Sequence, residues 1–66
     1  MDFTKEQMDF AIQIENEVLA HKMHVKEKAE YLKKCWYCGW LEDLFIDFYE
    51  FVEAVSAAEY KLLYNK

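Results

Sequence analysis

Along the first half of the chain, apolar residues return at helical intervals. Ala11, Ile14, Val18, Val25, Ala29, Leu32 and Trp36 recur at spacings of three, four and seven. At 100° per residue they share a sector of about 60°. The phase does not slip between Val18 and Val25, and no glycine, proline or asparagine interrupts Glu17 to Cys38. The pattern predicts one long helix over residues 4–38, ~52 Å at 1.5 Å per residue. The competing reading breaks the chain at His21-Lys22-Met23-His24 and gives three helices. It draws on the rarity of helices beyond ~25 residues in small domains.

The entry to this helix is well signalled. Thr4 followed by Gln7 forms a capping box, and Phe3 and Met8 occupy the two positions of a hydrophobic staple. Met1 and Asp2 read as a frayed start, and Asn65 and Lys66 as a tail. Gly39, the only glycine, predicts the stop through a left-handed cap. Lys33 and Lys34 precede it and Glu42 and Asp43 follow it, signs that suit a helix end and a helix start. A second helix is expected from about Leu41 to Leu63. Leu44, Phe48, Phe51, Val55, Ala58 and Leu62 form its main stripe, widened by Phe45, Val52 and Leu63. That face is wider than one helix contact needs.

Composition sharpens the picture. The chain has 66 residues, no proline, twelve aromatic residues and 55% hydrophobic content. Strand-rich folds need turn residues that are missing, so the fold class is all-α. One small domain of this length cannot easily hide so much apolar surface, which points to self-association or a partner. The net charge of −5 argues against direct binding of nucleic acid or an anionic membrane. The longest apolar run, Cys35 to Leu41, is far too short to span a bilayer. No basic-then-apolar leader is visible, and two cysteines three apart suit a reducing cytoplasm.

Charge is segregated along the chain. Residues 22–34 carry five lysines and two glutamates, whereas residues 35–60 carry six acids and no lysine. Glu42, Asp43, Asp47, Glu50 and Glu53 form an acidic face on the expected second helix. One reading is a solvated face. The functional reading is a docking surface for a basic or nucleic-acid-binding protein, with carboxylates spaced to imitate a phosphate backbone. The lysine cluster Lys22, Lys26, Lys28, Lys33 and Lys34 reads as a solvated face, or as the complement of another subunit's acidic helix.

His21, His24, Cys35 and Cys38 are the four residue types of a zinc site. On one helix, however, His24 and Cys35 stand ~16 Å apart, so no metal is expected within one chain. Breaking the helix near Met23 does not help, because the cysteines then sit at the far end of the next helix. A redox role for Cys35 and Cys38 meets a second obstacle. They fall at a helix C-terminus, where the dipole opposes a thiolate. Glu17 and His21, four apart, read as a surface pair.

The expected architecture is an antiparallel helical hairpin of two long helices, 4–38 against 41–63, paired with a second copy as a homodimeric four-helix bundle. The expected function is non-enzymatic and cofactor-free. It is a small acidic module that binds and modulates another macromolecule, after the manner of phage or mobile-element inhibitors of nucleic-acid-binding host proteins. That analogy rests on size and charge alone. The contrasting readings are a metal- or redox-responsive regulator using Cys35 and Cys38, and an assembly chaperone lending an apolar helix face.

Overall fold

The computed structural model describes residues 3–64. The start at Met1–Asp2 and the tail at Asn65–Lys66 lie outside the described residues. Three α-helices follow one another: α1 Lys5–Ala20, α2 Val25–Tyr37 and α3 Phe48–Tyr64, with a 3-10 turn Trp40–Asp43 before α3. No strand occurs among the described residues.

The single helix expected over 4–38 is therefore broken, at the place the three-helix reading named. His21 ends α1, and Lys22 turns into the left-handed region at φ 52°. The Met23 N–H donates to Val18 O at 3.1 Å and the Lys22 N–H to Leu19 O at 3.2 Å. These two bonds define a Schellman cap, with lysine where glycine is usual. The physical reason is compaction. A 35-residue rod would be ~52 Å long, whereas the longest extent of the folded chain is 29 Å. Folding back buries apolar surface that a rod leaves in water.

The start of α1 is as expected. Thr4 accepts from the Gln7 N–H at 3.1 Å, and Gln7 Oε1 accepts from the Thr4 N–H at 2.9 Å. Phe3 and Met8 both pack on the core. Gly39 ends α2 in the left-handed region at φ 96°, as expected. The second long helix, however, does not start at Leu41. The 3-10 turn and Leu44–Asp47 intervene, and α3 begins only at Phe48. There Asp47 Oδ1 accepts from the Glu50 N–H at 2.8 Å, and Glu50 Oε1 accepts from the Ile46 N–H at 3.0 Å. The motif Asp47-x-x-Glu50 is a capping-box variant whose glutamate reaches one residue further back.

Helices α1 and α3 run in the same direction, with α2 antiparallel between their ends. Gln7 Nε2 bonds Leu44 O and Glu50 Oε1 at one end, and Lys28 links Glu15 to Glu59 nearer the other. The core is Ala11, Ile14, Leu32, Leu41, Phe45, Phe51, Ala54, Val55 and Ala58. Phe51 is its hub: the rings of Phe10, Trp36, Phe45 and Phe48 lie 5.3–6.3 Å from it. These are separations at which aromatic pairs attract. The break changes what the first stripe buries. Ala11, Ile14, Val18 and Leu32 are buried, but Val25 is 87% exposed and Ala29 is also exposed.

Candidate interaction surface

The five carboxylates of the expected acidic face divide into three groups. Glu42 and Asp43 belong to the 3-10 turn and are exposed. Asp47 and Glu50 are engaged in starting α3, and Glu50 also receives the Gln7 amide at 3.3 Å. Glu53 is exposed on α3 and lines a shallow cleft with Ile46, Asp47, Tyr49 and Glu50. They do not form one row on one helix, because Glu42 and Asp43 precede α3.

The fold supplies other acids. Glu6 and Asp9, one turn apart on α1, face Asp43 across a cleft of about 450 Å³ whose remaining lining is Phe10 and Leu44. The cleft holds its shape through Gln7, which ties α1 to the backbone at Leu44 at 2.9 Å. Lys5 is the nearby cation, 3.9 Å from Asp9 with both side chains largely in solvent. A pair of that kind contributes little. A carboxylate rim around an apolar floor matches a lysine or arginine side chain: its methylenes lie on rings, its charged head among acids. Sequence reasoning passed over Glu6 and Asp9. They stand 37 and 34 residues before Asp43, and only the tertiary fold makes them neighbours.

The cysteines and histidines do not meet. His21 caps α1 and His24 precedes α2, whereas Cys35 lies in the last turn of α2 and Cys38 just after it. No group of three or more His, Cys, Asp or Glu side chains able to hold a metal ion occurs among the described residues. The His21 ring lies 3.4 Å from Glu17, an exposed pair within one helix. Burial pushes the Cys35 thiol above its ordinary range, helped by Cys38 and opposed by Tyr31. Cys38 Sγ donates weakly to Lys34 O at 3.4 Å. Both thiols are free, and a raised pKa is the opposite of what a reactive thiol needs.

One further charged group was missed. Glu15 is 1% exposed, in contact with Lys28, which also bonds Glu59 at 2.6 Å. A signal was present: Glu15 stands four residues after Ala11 and three before Val18, directly beside the apolar stripe.

No family model matches the chain, and neither a curated protein nor a solved structure matches it. No described helix is long and apolar enough to cross a membrane.

Proposed function

We propose that this protein is a non-enzymatic interaction module that docks a basic macromolecular partner on the acidic end formed by α1 and the 3-10 turn. The supporting observation is the cleft in which Glu6, Asp9 and Asp43 surround Phe10 and Leu44, with Glu42 beside Asp43 on the same turn. A nucleic-acid-binding protein carries lysines and arginines spaced for phosphates, and a cluster of carboxylates competes for them. The protein would then modulate its partner by occupying that groove, in the cytoplasm where such partners work. The same face requires no cofactor.

The test has two stages. Immobilised protein is exposed to extract, and retained proteins are eluted with stepped salt and identified. The captured partner is then titrated against wild type and the Glu6→Gln/Asp9→Asn/Asp43→Asn variant. The expected result is a basic partner, a loss of affinity of about tenfold or more, and a shallower salt dependence in the variant. Equal affinity and equal salt dependence would remove the cleft from the function.

A further inference from the structure

We infer that the seam between α2 and α3 is the contact surface for a second copy of this chain, with α2 of each copy lying on α3 of the other. The seam is a trough. Val25, Ala29 and Leu32 on one side and Val52 and Ser56 on the other line a cleft of about 290 Å³, with Lys28 and Glu59 at its edge. A second cleft of about 190 Å³, lined by Lys33, Trp36, Tyr37 and Phe48, lies further along the same two helices. Val25, Ala29, Leu32 and Trp36 form one stripe on α2, yet only Leu32 of the four is fully buried. The molecule is a slab only 15 Å thick between Cα atoms. Val25 is 87% exposed and Ala29 is exposed, so no described element of the same chain covers the first turns of this stripe.

Charge selects the occupant and its orientation. Helix α2 carries four lysines against two glutamates, and α3 three glutamates against one lysine. Laying α2 on α2 would oppose like charges, whereas a two-fold axis parallel to the seam lays α2 on α3 twice. Such a rotation leaves heights along the axis unchanged, so the register within one chain sets the register between two. Trp36 sits beside Phe48, with ring centroids 6.0 Å apart, and Lys28 beside Glu59. By interpolation, Lys33 of the second copy stands level with the turn holding Glu53, and Lys26 of the second copy within about one turn of Glu59. The interface is thus an apolar trough closed by complementary charges. It does not rest on the acidic cleft, which none of these residues lines.

Sedimentation equilibrium of the intact protein tests this across micromolar to near-millimolar concentration. The expected species has twice the chain mass, and its dissociation constant rises with added salt. Val25→Asp is predicted to give a monomer with unchanged circular dichroism. The valine is exposed, and aspartate suits the first turn of a helix. Lys33→Glu and Glu53→Lys are each expected to weaken the dimer about tenfold, and the double charge swap to restore it. A wild type that stays monomeric throughout overturns the inference. So does a folded Val25→Asp protein that still dimerises as wild type does. A charge swap that fails to restore the dimer excludes the placing of α2 on α3.

Discussion

Lys28 Nζ lies 2.9 Å from Oε1 of Glu15, a carboxylate on another helix that is 1% exposed. The contact is an ion pair at hydrogen-bond distance, and Oε2 of Glu15 has no hydrogen-bond partner among the described residues. Lys28 reaches Glu59 at 2.6 Å with the same ammonium. One lysine of α2 therefore holds acids from both α1 and α3.

Removing the lysine is expected to unfold the protein. Breaking a buried pair by deleting one partner costs about 3–5 kcal/mol, because an uncompensated charge stays behind. A core from a chain this short supplies roughly 3–5 kcal/mol in total. Lys28→Met should therefore lose its helical circular dichroism at 25 °C. Glu15→Leu/Lys28→Met should regain it, since apolar replacement of a whole buried pair is often neutral or stabilising. A folded Lys28→Met protein would show that Glu15 finds water or another partner.

Stability should fall on the alkaline side. Burial pushes Cys35 and Tyr31 upward from ordinary values of 9.0 and 10.0. Burial alone would lower Lys28, but its contacts with Glu59 and Glu15 outweigh this and the net shift is upward from 10.5. In all three cases the folded state holds the proton more tightly than the unfolded state. The stabilisation is complete below the ordinary values and is lost as pH rises through the raised ones. Urea melts should be flat between pH 7 and about 8.5 and shift to lower midpoints from about pH 9 upward. Cys35→Ala should delay the onset. A midpoint constant to pH 11 would contradict these shifts.

The two left-handed positions give opposite predictions. Lys22 adopts φ 52° and Gly39 φ 96°. A side chain there costs about 1–2 kcal/mol relative to glycine. Lys22→Gly should stabilise the protein by about 1 kcal/mol after the greater freedom of glycine in the unfolded chain is counted. Gly39→Ala should destabilise it by at least that much. An added Cβ at Gly39 meets nothing within 4 Å, so the cost is one of backbone conformation and not of clash. Thermal melts of the two variants should move in opposite directions.

Lys22 also marks where the sequence misleads. The apolar phase runs unbroken from Ala11 to Trp36 and the cap that stops α1 uses no glycine, so only the rarity of so long a helix spoke for the competing break at His21-Lys22-Met23-His24. What decides it is the gain from folding α2 back, a tertiary quantity. Features built from neighbouring residues were legible: the Thr4–Gln7 box, the Gly39 stop and the all-helical class. The Asp47-x-x-Glu50 cap was also written in neighbours. It was hidden because Leu41, Leu44 and Phe45 continue a helical period ahead of it. The cleft of Glu6, Asp9 and Asp43 was not legible, since its members come from distant segments.

The cap at Asp47 decides how an acidic docking face must be probed. Asp47 and Glu50 attract attention by charge, yet each bonds a backbone N–H at the start of α3. Losing such a cap costs about 1 kcal/mol. Lysine at both positions would add cations at the positive end of the helix. Charge reversal at Asp43, Asp47 and Glu50 together should therefore lower stability, and any loss of binding would be confounded with loss of fold. The separable experiment pairs Asp47→Ala with Glu42→Lys/Asp43→Lys. Glu42 and Asp43 are exposed, and no hydrogen bond to their side chains ties them to the fold among the described residues. Asp47→Ala should lower the urea midpoint by an amount worth about 1 kcal/mol and leave partner affinity unchanged once the protein is folded. Glu42→Lys/Asp43→Lys should leave the midpoint within about 0.5 kcal/mol and weaken the partner. If Asp47→Ala instead weakens the partner at full folding, Asp47 belongs to the docking face as well as to the cap.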